Sequence, residues 1–166
     1  VSVGIVNALE QLGIPDLKVK WPNDILSGNF KIGGILIENM ILGSKIRASV
    51  IGIGLNVNQD IFKSAPHAAS LKNVTGHAFD LDEVFYDILE HLKKRLSVPI
   101  VSQHIDLLAE YHQNLFRLGI ESTFKDINDV MFQGTITGVT QKGRLKVRVS
   151  TGVEREFDVK ELQLQY

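Results

Sequence analysis

The stretch KWPNDILSGNFKIGGILIE, Lys20 to Glu38, decides how the chain is read. It sets a tryptophan, two lysines, an Asn-Asp pair and a double glycine at what read as strand ends and turns. A core strand has no use for the polar residues, and a surface loop has little use for the apolar run that follows. Pro22 holds Trp21 extended and fixes a turn. Asn23 and Asp24 suit such a turn, so composition alone is satisfied by a plain strand end. Trp21 reads as core rather than as a ligand contact. In a regular strand Lys31 shares its face with Gly33, Ile35 and Ile37. A lysine in that company is either at an edge, with its head in water, or aimed into a pocket. Gly33 and Gly34 tilt the reading toward a pocket, because glycines inside a strand mark a bulge or a ligand close to backbone. The stretch is expected to build part of an anion-binding active site.

Outward from it, Leu17 to Trp21 reads as a short strand and Ser27 to Asn29 as a turn. Phe30 to Met40 reads as a long strand, Leu42 to Lys45 as a hairpin turn, and Ile46 to Val57 as a third strand. Together they form an antiparallel meander that needs cover on at least one face. A candidate cover precedes it: Val3, Val6, Leu9 and Leu12 lie at helical spacing, ended by Gly13 and Pro15. A chain that opens on Val1 already inside a helix is expected to start within a domain. Gln59 to Phe79 reads as loop. Asp80 and Glu83 then make a capping-box arrangement ahead of a helix with Leu81, Val84, Phe85, Ile88, Leu89 and Leu92 as its buried stripe. Pro99 separates it from a second helix, Val101 to Leu118, ended by Gly119. From Ile120 the pattern turns to period two. Short strands around Met131–Gly138, RLKVRV, REFDV and LQLQY predict a small barrel. The expected fold is α+β: a largely antiparallel sheet with packed helices over 1–118, then a small β-barrel over 119–166.

The totals narrow the function. The chain has 166 residues, 44% of them hydrophobic, enough for a real core. A formal net charge of -1 gives no global attraction to nucleic acid or an anionic membrane. The absence of cysteine excludes a disulfide framework, a thiolate metal site and a cysteine nucleophile. No apolar run reaches membrane-span length and no signal peptide is visible. His67, His77, His91, His104 and His112 show no metal-ligand spacing, and no GxSxG or Walker A motif occurs. GIGLNVN, Gly52 to Asn58, begins like a dinucleotide fingerprint, but Val57 stands at the third glycine and a loop follows, so that reading fails. What remains is a strand with Gly52, Gly54 and Asn56 on one face; Asn56 either reads an adenine edge or caps a turn. Lys142, Arg144, Lys146 and Arg148 share a strand face. A solvated face balanced by Glu154, Glu156 and Asp158 is favoured over a carrier-facing patch.

KWPNDIL, KIGGILIE and GIGLNVN, in that order and at these gaps, closely resemble bacterial biotin protein ligases, the biotin–[acetyl-CoA-carboxylase] ligases. HAASLKNVTGHAFDLDEV, His67 to Val84, is similar to the segment that follows in that family, and the C-terminal β region resembles its SH3-like domain. The resemblance covers nearly the whole chain, strongly over 18–92 and weakly after 119. It implies a class II aminoacyl-tRNA-synthetase-like catalytic fold and a cytoplasmic enzyme. The reaction it implies forms biotinyl-5'-AMP from biotin and Mg-ATP, then transfers biotin to a lysine of a biotin carboxyl carrier protein. By motif, Lys31 contacts the biotin carboxyl and the phosphate. Asp24 organises Mg2+ or water, or assists the incoming lysine. Gly34 and Gly52 let backbone close on the biotin ring, Asn56 contacts adenine, and Lys20, Trp21 and Asn23 hold the strand end in shape.

The family's other half site, a GRGRxGRxW-type loop, does not occur in these residues. The chain therefore reads as the second half of the catalytic domain plus the C-terminal domain. It is expected to be inactive alone, to leave a sheet face or edge uncovered, and to be open to homodimer formation. DNA binding is not supported by these residues. Three other readings stand beside the ligase: a lipoate or octanoyl ligase-like enzyme, a non-catalytic regulatory protein that kept the fold, and a carrier-binding module built on the barrel.

Overall fold

The computed structural model describes residues 1–97 and 104–166. They gather into two compact units, one of residues 1–19 and 23–97, the other of residues 20–22 and 104–166.

The first unit starts with α1 (Ser2–Gln11). Its Ile5, Val6, Ala8 and Leu9 are fully buried, and Gly13 turns the chain away in the left-handed region. β1 (Leu17–Lys20), β2 (Asp24–Ser27), β3 (Phe30–Leu42) and β4 (Lys45–Leu55) follow, in the sheet order β1-β2-β3-β4. The expected meander is there, with one strand more than the sequence pattern suggests. Asp24–Ser27 is not turn but strand, paired antiparallel with Phe30–Gly34 around the tight Ser27–Asn29 reversal. After β4 comes the short helix α2 (Leu71–Thr75), inside the segment read as loop. Ser70 caps it, with a reciprocal bond to Asn73, and Gly76 closes it at φ 84°. Five residues are too few to show a helical period.

α3 (Leu81–Leu96) begins at Asp80, whose Oδ1 accepts from the N–H groups of Asp82 and Glu83. It meets α1 where Gly4 lies under Leu92; a Cβ on Gly4 would stand 3.0 Å from that leucine. Of the expected stripe, Val84, Ile88 and Leu92 are buried. Leu81 and Phe85 are exposed and, with Leu89, line an apolar groove of about 690 Å³ against Ile51, Ile53 and Leu55 of β4. β4 is an edge strand, and the outer half of the hairpin shows Met40, Ile41, Leu42, Ile46 and Val50 to solvent.

The second unit holds α4 (His104–Gln113) and five strands: β5 (Glu121–Asp126), β6 (Met131–Val139), β7 (Leu145–Val149), β8 (Glu154–Phe157) and β9 (Leu162–Gln165). The order is β8-β7-β6-β5-β9. This is compatible with an SH3-like unit, but among the described residues no ladder joins β8 to β9, so the sheet is not closed. Its core is Leu115, Phe124, Ile136, Val139, Leu145, Val147 and Phe157. The helix expected over Val101–Leu118 ends sooner, at Gln113, and its first residues lie outside those described. Leu115 and Phe116 leave helical geometry to become buried, and Arg117 turns at positive φ. Tyr111 packs on the same core, where burial pushes its hydroxyl up to about 12. The Nε2 of His112 accepts the Val139 N–H at 2.8 Å, which ties α4 to β6. The compact unit thus begins before Gly119, where the sequence pattern changes period.

Candidate anion-binding site

β3 does not run flush against β2. Asp24 faces Gly34 and Ile25 faces Gly33, but Leu26 faces Lys31, so Ile32 is an extra residue without a partner. This is the bulge that the double glycine suggested. It also overturns the expected face assignment. Regular alternation would put Lys31 beside Gly33 and Ile35. The bulge shifts the alternation by one residue, so Ile32 and Ile35 are both buried in the core. Lys31 then shares its side with Asp24 and Gly34: a Cβ on Gly34 would stand 3.6 Å from Asp24 Oδ1 and from Lys31 Nζ.

On that side Lys31 Nζ lies 2.5 Å from Asp24 Oδ1, with side chains 46% and 17% exposed. The pair is therefore reachable from solvent yet held against the sheet. Directly opposite residues of an antiparallel pair share a face. Gly54 is opposite Gly34, and Gly52 is opposite Leu36. Asp24, Gly34 and Gly54 thus form a row across three strands, with Gly52 one step along. A flat strip of bare backbone lies beside an ammonium. Gly54 was visible in the sequence as a neighbour of Gly52 and Asn56, but its position opposite Gly34 follows only from the register.

The flanking residues act as scaffold. Asn23 Nδ2 donates to Ile35 O at 2.8 Å, and Ile35 N–H donates back to Asn23 O at 2.9 Å. Lys31 backbone bridges to the 67–69 segment, donating to His67 O and accepting from Ala69 N–H. Asn56 Nδ2 donates to Ala69 O at 3.0 Å, so the amide group already has a task. Asn58 closes the far end of this long connection, exchanging bonds of 2.8 and 3.0 Å with the Phe79 backbone. Sequence reading missed Asn58; its only signal was a second asparagine two positions after Asn56. Trp21, read as core, is partly buried and packs against the core of the second unit, where its indole N–H donates to Gly143 O at 2.8 Å.

The two glycines of β3 differ in kind. A Cβ on Gly33 would come within 2.8 Å of Gly54 O, a backbone atom that cannot yield without parting the strands. Gly33→Ala is expected to lower stability by about 1–3 kcal/mol. Gly34→Ala meets only ordinary contacts and should leave the melting temperature within a few degrees. Equal losses in thermal melts would show that the bulge geometry is misread.

Other candidates dissolve. Lys146 is paired with Glu154 at 2.6 Å and Arg144 with Asp158 at 3.4 Å, so the basic strand face is balanced across its own hairpin. Glu154 lies below the usual carboxylate range, chiefly through its bond to Lys146. The larger cavity of about 750 Å³, lined by Phe30, Asp60, Phe62 and Asn73 among others, touches none of Lys31, Asp24, Gly34 and Asn56. No group of three potential ligand side chains gathers among the described residues. Asp24 is a lone carboxylate already engaged by Lys31, so these residues do not by themselves fit a Mg2+ site. Among the described residues no helix is long and apolar enough to cross a membrane.

A lysine on the bulged strand β3 and a carboxylate on β2, beside bare glycine backbone, make a candidate anion-binding site on an α+β scaffold. The comparisons place that scaffold. Residues 1–56 match the model of the Biotin/lipoate A/B protein ligase family. The chain is 28% identical over 162 residues to the bifunctional ligase/repressor BirA of Bacillus subtilis, covering 94% of this chain and 49% of that protein. It is 40% identical over 78 residues to the biotin–[acetyl-CoA-carboxylase] ligase of Paracoccus denitrificans, covering 44% and 32%. The Aquifex aeolicus biotin protein ligase, solved in complex with biotin and ATP, shares its fold. The TM-score is 0.79 at 24% identity, over 99% of this chain and 68% of that one. The chain spans about half or less of the length of these curated relatives.

Proposed function

We propose that this chain supplies the lysine-bearing part of a biotin protein ligase active site. In this reading a carboxylate oxygen of biotin attacks the α-phosphorus of ATP. The bond to the bridging oxygen breaks and pyrophosphate leaves. The amine of a carrier lysine then attacks the carbonyl of the mixed anhydride, with AMP as leaving group and one proton released. The observation that carries the proposal is the half-exposed Lys31 ammonium, fixed by Asp24 on the Gly34–Gly54 strip. Both steps concentrate negative charge near one point. A rigidly held ammonium offsets it without having to reorganise, and lysine does so as a compact charge.

The other roles follow from what each group has free to offer. Gly34, Gly54 and Gly52 would admit a flat ring system onto backbone. Asn56, with one Nδ2 hydrogen on Ala69 O, would offer adenine its Oδ1 as an acceptor for the exocyclic amine and its second Nδ2 hydrogen as a donor. Asp24 would keep Lys31 in place and take the proton of the incoming lysine. The likeness to named biotin ligases favours biotin over lipoate, which the same family also contains. The carrier is, in this reading, a biotin carboxyl carrier protein. Mg2+ would enter only with the ATP phosphates.

The test is pyrophosphate release with biotin and Mg-ATP, measured on this chain and on a protein extended to the length of its relatives. Release by the extended protein alone is expected. Release by neither would favour a non-catalytic binding protein. Release by this chain unaided would overturn the view that a further loop is needed.

A further inference from the structure

The ladder between β3 and β4 ends at the pair Gly33 and Leu55, so Lys31 lies beyond the reach of β4. The returning segment 67–69 takes the place of that strand. Lys31 N–H donates to His67 O at 2.7 Å, and Lys31 O accepts from Ala69 N–H at 2.9 Å, a single parallel bridge centred on Ala68. On its other flank Lys31 pairs with Leu26 beside the bulge. Two hydrogen bonds contribute little net stability alone, so whatever holds the segment in place also holds the lysine backbone. Asn56 supplies that hold. Its backbone N–H donates to Ile32 O at 2.8 Å, its Nδ2 to Ala69 O at 3.0 Å, and its carbonyl accepts from Leu71 N–H at 2.8 Å. One residue thus spans from β3 to the returning segment. The segment is itself well seated: Ala69, Ser70 and Leu71 are buried, and Ser70 exchanges bonds with Asn73 at the start of α2. The side-chain amide does here what a further backbone amide of β4 would do; an aspartate of the same shape has no N–H to donate.

We propose that Asn56 is a positioning residue for Lys31: its amide pins the 67–69 segment against the lysine backbone and so fixes the point from which the ammonium reaches out. The seating of the lysine and any contact with adenine then share one side chain. The catalytic consequence rests on the ligase reading; the brace does not.

Amide hydrogen exchange on this chain, with no ligand present, tests the brace. Asn56→Ala removes the crossbar, and Asn56→Asp keeps its shape but loses the donor. Asn58→Ala breaks the clamp on Phe79 in the same connection and leaves the crossbar intact. Exchange at the Lys31 and Ala69 amides is expected to rise about tenfold in both Asn56 variants and to stay within about twofold in Asn58→Ala. Unchanged exchange there in Asn56→Asp, an equal rise in Asn58→Ala, or a rise that extends equally to the buried α1 residues Ile5–Leu9 would overturn the proposal. In the extended protein, Asn56→Asp should lower kcat for pyrophosphate release about tenfold with little change in KM for biotin, since misplacement acts on the reacting geometry. A raised KM for ATP with kcat kept would make Asn56 an adenine contact only and overturn its positioning role. Absence of pyrophosphate release from the unaltered protein would sink the ligase reading, while the exchange result still decides the brace.

Discussion

Lys31→Ala is expected to slow biotinyl-adenylate formation by about a hundredfold or more, the scale of losing one preorganised charge-stabilising donor. The same change should cost the fold about 1 kcal/mol or less, because the pair with Asp24 is open to solvent. That contrast makes the variant informative: a large loss of rate with an unchanged melting temperature places the effect in chemistry. Lys31→Arg should not rescue it. The planar guanidinium is wider than an ammonium and would have to lie across the Gly34 strip that the ligand is to occupy. The measurement is pyrophosphate release by the protein extended to the length of its relatives. A rate near that of the unaltered protein would remove Lys31 from the reaction.

Much of this site is legible in the sequence, because its residues are badly suited to anything else. A lysine next to paired glycines in an apolar strand has few structural uses, and the glycines announced the bulge. What the sequence hides is the consequence of the bulge. Period two puts Lys31 with Ile35, whereas the extra residue Ile32 moves it to the side of Asp24. Only the pairing with β2 reveals this, and β2 was itself obscured because Asn-Asp reads as turn. The Gly34–Gly54 strip is hidden for the same reason: register between strands is not written in either strand alone. Leu81 and Phe85 fit the helical stripe by period, yet face an open groove, because periodicity names an apolar face and not what covers it. The second unit was readable from turn signals and alternation. Its claim on α4 was not, since Tyr111, His112 and Leu115 reach its core through contacts distant in sequence.

Asp24→Asn separates two tasks that the structure gives one carboxylate. As a counter-ion, Asp24 lowers the pull of Lys31 on any anion; as a tether, it fixes where the ammonium points. The amide keeps the shape and an acceptor oxygen but removes the charge. If screening were the main task, the variant would bind biotin and ATP more tightly and keep its rate. If holding is the main task, the ammonium gains rotamer freedom and the rate falls although binding is kept. The geometry favours the second. Gly34 and Gly54 contribute no side chain of their own to confine Lys31, whose side chain is nearly half exposed. Asp24→Asn is therefore expected to lower kcat for adenylate formation about ten- to a hundredfold with KM for biotin unchanged or lower. Transfer to the carrier should fall further, because the amide cannot take the proton of the incoming lysine. Steady-state pyrophosphate release, followed by single-turnover transfer from preformed biotinyl-5'-AMP, measures the two steps apart. An undiminished first step with tighter binding would make Asp24 a screen and not a tether.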